Sequence, residues 1–163
     1  MTESTYGDRN HKAREDRFEN FVDIVNETLD KGGRVVIPSF AVGRTQEIVY
    51  GLNQNKEKFK EKYDRILQTP VYVDSPLAIS ATEIYKNNPQ CYDEEARRYI
   101  LENKNPVDFP TLKLTRTVDE SKAINESNDP AIIISASGMC EAGRIRHHLK
   151  HRLWEENSTI LFV

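Results

Sequence analysis

The sequence predicts an α/β domain of three layers, a mainly parallel sheet with helices on both faces. Three observations lead there. The runs "RVVIPSF", "VYVDSP" and "AIIIS" are short and nearly continuous in apolar residues, as strands buried on both faces are. Between them lie stretches whose apolar residues recur every three or four positions, the period of an amphipathic helix. The two kinds of segment alternate, which is the pattern of parallel strands joined by helical crossovers.

Each element follows in order. Residues 13–31 place Phe18, Phe21, Val22, Val25 and Leu29 on one helical face, and Gly32 and Gly33 end the helix. "RVVIPSF" is the first buried strand. "RTQEIVYGLNQN" is a helix with Ile48, Val49 and Leu52 inward. "VYVDSP" is the second buried strand, ended by Pro76. "AISATEIYKN" and "DEEARRYILEN" are helices parted by Asn88 and Pro89. "TLKLTRT" is a more polar strand suited to a sheet edge, and "DESKAINES" is a short helix. "AIIIS" is the most buried strand. A helix from Ala142 to Trp154 and a last strand, "STILFV", complete the chain.

Composition bounds the function. With 163 residues, 37% hydrophobic and 30% charged, the chain is long enough for one packed domain over 1–163 and is not of disordered type. No apolar run approaches the roughly 20 residues that span a bilayer, so no membrane partner is expected. The opening "MTESTYGDRNHK" has no apolar core of a signal peptide. Cys91 and Cys140 lack CxxC spacing and read as free thiols, so a reducing, cytoplasmic setting is expected. A net charge of −3 shows no global electrostatic preference for nucleic acid, and any phosphate affinity must come from a local patch. Val163 falls inside an apolar strand pattern, from which a fragment of a longer protein is expected.

Ligands of parallel sheets sit outside the carboxyl ends of the strands. Three such ends carry small polar residues: "PSFAVGR" (Pro38–Arg44), "DSPLA" (Asp74–Ala78) and "SASGMCEAGR" (Ser135–Arg144). In a parallel sheet these loops converge on one rim, where Ser39, Ser75, Ser135 and Ser137 can face a common crevice. Arg44 and Arg144 then lie in the first turns of the following helices. Backbone N–H groups at a helix start, with a guanidinium, favour a phosphate. The competing explanation is that the same residues serve only to turn the chain. The phosphate- and dinucleotide-binding patterns GxxxxGK[ST] and GxGxxG are absent, as is the esterase pattern GxSxG.

His147 and His151 are four apart and can ligate a metal, yet the run "HHLKH" lacks the HExxH form. Arginines and Lys150 surround it. Arg144, His147, His148 and His151 read as one stripe, a solvated or RNA-facing basic face. "ESTYGDRNH" packs Glu3, Tyr6, Asp8, Arg9 and His11 together, either as a site or as a polar loop with internal hydrogen bonds. Tyr6, Phe40 and Tyr72 either stack bases or lie buried.

"ESTYGDRNH", "GGRVVIPSFAVGRTQEI", "VYVDSPLA", "ASGMCEAGRIRHHLKH" and "TILFV" resemble, in this order and over nearly the whole chain, the β-CASP segment of RNA-processing metallo-β-lactamase-fold nucleases. The likeness is to prokaryotic relatives of the nuclease subunit of the cleavage and polyadenylation factor. It implies a Rossmann-like β-CASP domain inserted in a lactamase-fold domain, RNA in the cleft between them, and two zinc ions in the parent protein that activate water for attack on a phosphodiester. HxHxDH, the family's main ligand motif, does not occur here, so no cofactor is assigned to this chain. The fragment alone is expected to be inactive, with the lactamase-fold domain as its partner, and the resemblance leaves room for a homodimer of the parent.

Residue by residue, Glu3 matches an acidic residue that orients a proton-transferring histidine, the one catalytic assignment. Ser137 and Gly138 match a small-residue loop near the substrate phosphates, with Arg144 opening the helix behind it. Ser39, Arg44 and Ser75 match the other cleft-facing loops, and His147, His148 and Lys150 resemble a basic helix. Two alternatives stay open: a stand-alone α/β module for a nucleotide or phosphate, and a DNA-processing member of the same superfamily.

Overall fold

The computed structural model describes residues 2, 4, 5, 7–9, 14–56, 60, 64–102 and 105–163. Five strands form one sheet: β1 (Arg34–Pro38), β2 (Val71–Val73), β3 (Leu112–Leu114), β4 (Ala131–Ser135) and β5 (Thr159–Ile160). Seven helices surround it among the described residues. They are α1 (Arg14–Asp30), α2 (Arg44–Gln54), α3 (Asp64–Gln68), α4 (Pro76–Asn87), α5 (Glu94–Leu101), α6 (Val118–Glu126) and α7 (Ile145–Arg152). The strand order is β3-β2-β4-β1-β5 and every pairing is parallel. The α/β fold with a parallel sheet is thus as the sequence predicts, with "AIIIS" at the centre and "TLKLTRT" at an edge.

Two apolar layers hold the sheet. On one face, Phe21, Val25 and Leu29 of α1, Ile48 and Leu52 of α2, Ile66 of α3 and Ile79 of α4 pack on Val35, Ile37, Val71, Val73, Ile132 and Ile134. On the other, Ile124 of α6 and Ile145 of α7 pack on Val36, Ile133 and Ala131. Alternate residues of β1 and β4 thus face opposite layers, which is why these strands read as unbroken apolar runs. Fully burying each such side chain stabilises by about 1.5–3 kcal/mol before the entropy of ordering is subtracted.

Local chemistry sets the helix ends. At the end of α1, Gly33 N–H donates to Thr28 O and Gly32 N–H to Leu29 O, with Gly32 at φ 71°, where glycine alone is unstrained. Ser75 caps α4, its Oγ accepting from Ala78 N–H, with Pro76 in the first helical position. Thr117 and Glu120 form a reciprocal capping box on α6.

Three details differ from the sequence reading. The helix expected from Ala142 begins at Ile145, because Gly143 sits at φ 78°, outside the helical region, and it ends at Arg152 rather than Trp154. Only Thr159–Ile160 of "STILFV" pairs as a strand. The five-residue α3 is too short to show a periodic pattern.

Candidate functional site

The order of the strands makes β4 exceptional. The chain leaving β1 runs through α2 and α3 to β2, and the chain leaving β2 continues through α4, all on one face. The chain leaving β4 enters α7 on the other face. At the carboxyl ends, the β4 loop therefore parts from the loops on both sides of it. Such a reversal is where open α/β sheets take ligands. "SASGMCEAGR" stands between "PSFAVGR" and "DSPLA", and the three loops do share one rim. Ser39 N–H donates to Ser135 O at 3.0 Å, and Asp74 N–H to Ile134 O at 2.9 Å.

Between β2 and β4 the rim is knit by Asp74, which is fully buried. Its Oδ1 accepts from Thr115 Oγ1 at 2.7 Å and from Arg144 Nη1 at 2.7 Å. Its Oδ2 accepts from Ser121 Oγ at 2.6 Å and faces His148 Nε2 at 2.7 Å. Its carbonyl accepts from Ser135 Oγ at 2.8 Å. Burial alone would push the Asp74 carboxyl up. Hydrogen bonds from His148, Ser121, Thr115 and Arg144 outweigh it and hold the group well below the usual carboxylate range. The other ring nitrogen of His148, Nδ1, lies 2.8 Å from Asn125 Oδ1. The Asp74 carboxylate thus binds together the segment after β2, the segment after β3, α6 and α7, and its backbone carbonyl adds the end of β4.

Each expected site residue has a definite place. Arg144 is at the start of α7, but its guanidinium turns inward. Besides Asp74 it donates to Thr115 O at 3.0 Å and Arg116 O at 2.9 Å, and its side chain is 17% exposed. Arg44, the first residue of α2, is exposed and paired with Glu47 at 2.8 Å. Ser39 is buried, accepting from Thr45 Oγ1 at 3.1 Å. Ser75 is buried as the cap of α4, and Ser135 is buried against Asp74. Ser137 and Gly138 are half-buried on the β4 loop, where Ser137 N–H donates to Ala142 O at 3.1 Å. Gly138 lies directly against Phe40 across the crevice between β4 and β1. The structure thus brings Arg44, Ser137 and Gly138 to the rim surface, and places Ser39, Ser75, Ser135 and Arg144 in the framework beneath it. Glu3, Tyr6 and His11 lie outside the described residues.

The basic stripe on α7 divides in two, a correction to the sequence reading. His148 is fully buried and Arg152 nearly so, while Arg146, His147, Lys150 and His151 are exposed. Arg144, His148 and Arg152 recur every four residues on the inner face and each bonds to oxygen acceptors, although the buried Nε of Arg152 has no partner among the described residues. This four-residue repeat was the available signal for the knot, together with an aspartate ending an apolar strand. Among the described residues, no three His, Cys, Asp or Glu side chains converge as a metal site would require. The Asp74–His148 pair is held by Arg144 and two hydroxyl groups, a donor set suited to an anionic carboxylate and not to zinc. These residues do not fit a metal. No described helix is long and apolar enough to cross a membrane.

A cavity of about 610 Å³ opens at the other end of the sheet, lined by Gly33, Arg34, Arg152, Trp154 and Glu155 among others. Burial, then the neighbouring Arg152, lowers the Arg34 pKa from its ordinary value.

Residues 45–163 match the Beta-Casp domain family. The chain is 36% identical to ribonuclease TTHA0252 of Thermus thermophilus over 163 residues, all of this chain and 36% of the relative. It is 34% identical to the transcription termination factor FttA of Methanocaldococcus jannaschii, over all of this chain and 25% of that protein. It is 32% identical to cleavage and polyadenylation specificity factor 73 of Drosophila melanogaster, over 90% of this chain and 20% of that protein. The chain spans 36% or less of the length of these three relatives. With its family match resting on most of the chain, and with a parallel sheet whose three loops meet where β4 parts from its neighbours, the chain belongs to the Beta-Casp domain family.

Proposed function

We propose that the chain is the substrate-clamping domain of a zinc-dependent ribonuclease that hydrolyses RNA phosphodiesters. The observation that carries the reading is the rim itself. Three loops meet at a crossover reversal, with Arg44 exposed in the first turn of α2 and Ser137 and Gly138 on the β4 loop. A guanidinium beside backbone N–H groups at such a place suits an RNA phosphate. The names of the relatives, a ribonuclease, a termination factor and a cleavage factor, support RNA as the substrate class.

In this reading the zinc ions belong to a lactamase-fold domain of the parent protein, since the side chains described here form no metal site. The β-CASP domain supplies grip, and Glu3 supplies a carboxylate that orients a histidine elsewhere in the parent. The fragment is inactive alone. The parent acts in the cytoplasm, a setting that suits the free thiols Cys91 and Cys140. Homodimerisation of the parent is part of the same proposal.

The test is RNA cleavage by the parent protein with and without EDTA. Loss of cleavage on chelation and return with zinc is expected. A Glu3→Ala parent is expected to bind RNA normally and cleave it poorly, and unchanged cleavage removes Glu3 from the catalytic assignment. Preference for single-stranded DNA over RNA in the same assay overturns the choice of substrate.

A further inference from the structure

Phe40 stands on the rim with its side chain out. It is 58% exposed, although it lies only two residues beyond the buried strand β1. The backbone under it is fixed. Ser39 N–H is tied to Ser135 O at 3.0 Å, and Phe40 O accepts from Thr45 N–H at 3.3 Å and from Thr45 Oγ1 at 2.7 Å. The ring is therefore held out by an anchored loop and does not hang from a loose one.

The support on its inner side is unusual. A Cβ placed on Gly138 would lie 3.3 Å from both Cδ2 and Cε2 of the Phe40 ring and 3.2 Å from Phe40 N. The ring rests on a glycine whose lack of a side chain allows that approach, and Gly138 has no positive φ that would otherwise call for glycine. Val42, Leu77 and Met139 are also exposed on the three rim loops. An isolated exposed apolar residue is ordinary, but four on one functional rim form a surface that a ligand can cover. The helices leaving this crevice carry exposed Arg44 and Arg146 in their first turns. Apolar faces flanked by cationic groups match the chemistry of a single nucleic-acid strand, whose bases stack and whose phosphates pair.

We propose that Phe40, backed by Gly138, is a base-stacking platform for single-stranded RNA in the crevice between β1 and β4. The proposal rests on the RNA reading above and adds to it the contact made by a base. Gly138 acts through Phe40 as a positioning residue, setting the height and tilt of the ring. Stacking tolerates any base, so the platform grips without reading sequence.

The test measures binding of the parent protein to a single-stranded RNA and to an abasic strand of the same length, by fluorescence anisotropy. Phe40→Ala is expected to weaken binding to the RNA by about 5- to 150-fold, the range for loss of one stacked base. It should leave the abasic strand unaffected, and the loss should persist at high salt. Phe40→Trp should bind the RNA at least as tightly as the unchanged protein. Gly138→Ala should weaken RNA binding in the same selective way. Thermal melts of Phe40→Ala should match the unchanged protein, since the ring is exposed. Equal loss on both strands, or no loss on either, overturns the platform and leaves the RNA reading standing. Failure of the unchanged parent to bind RNA at all overturns both.

Discussion

The Nε2 of His148 lies 2.7 Å from Oδ2 of Asp74, and neither side chain reaches solvent. A pair of ionisable groups so deep is tolerable only with further partners, and here Arg144, Thr115, Ser121 and Asn125 provide them. The bond joins the loop after β2 to α7, the helix that leaves β4 on the opposite face. Arg144 Nη1 on Asp74 Oδ1, also at 2.7 Å, is a second link across the same reversal.

Removing the carboxylate leaves Arg144 and His148 facing each other without an anion. Asp74→Ala is expected to cost about 3–5 kcal/mol, the range for breaking a buried pair by deleting one partner. Urea unfolding followed by circular dichroism measures it. A loss below about 1 kcal/mol would show that water or neighbouring carbonyls replace the carboxylate.

Acid should expose the same knot. Asp74 is held below its ordinary pKa of 3.8, so its ionised form stabilises the folded chain. That contribution is complete above the unfolded value and declines as the pH falls below it, toward the lowered folded value. Urea midpoints between pH 6 and pH 2 are expected to fall more steeply for the unchanged chain than for Asp74→Asn, which lacks the titrating group.

Arg44 and Arg144 occupy similar places in the sequence and should behave in opposite ways. Arg44→Ala removes an exposed pair with Glu47, worth about 0.3–0.5 kcal/mol, and should barely move the melting temperature. In the parent protein it should weaken RNA binding and lower the salt slope by about one phosphate contact. Arg144→Ala should lower stability by more than about 2 kcal/mol, because Asp74 loses a charged donor in a buried setting. Melts and salt-dependent binding on both variants separate the two roles.

Two adjacent glycines offer a sharper contrast. Gly32 has a positive φ of 71° and open space where a Cβ would stand, so Gly32→Ala is expected to cost about 1–2 kcal/mol. A Cβ on Gly33 would fall 1.6 Å from Asn157 O, a backbone atom that cannot turn aside. Gly33→Ala must push β1 and the segment before β5 apart and should cost more than Gly32→Ala in the same unfolding assay.

The sheet was legible because a strand covered on both faces is apolar along nearly its whole length, with polar residues only at its ends. "AIIIS" and "RVVIP" therefore read as central strands, and the Leu–Lys–Leu of β3 as an edge. The meeting of three loops on one rim followed from parallel order alone. The division of labour within that rim did not. Ser39, Ser75 and Ser135 have the same chemistry as Ser137, and only the packed chain shows which hydroxyl groups are consumed internally. Likewise, α7 reads as a solvated basic helix until Asp74 is seen beneath it. A buried arginine and a solvated one have the same letter, and the anion that draws Arg144 inward comes from a distant strand.

Among the described residues, Asp74, Thr45, Ser135 and the helix caps hold the rim by hydrogen bonds within the chain. These bonds fix the three loops relative to the sheet. A strand that settles there gives up little of its binding free energy to ordering loops, and affinity is set mainly by what the strand itself loses in freedom.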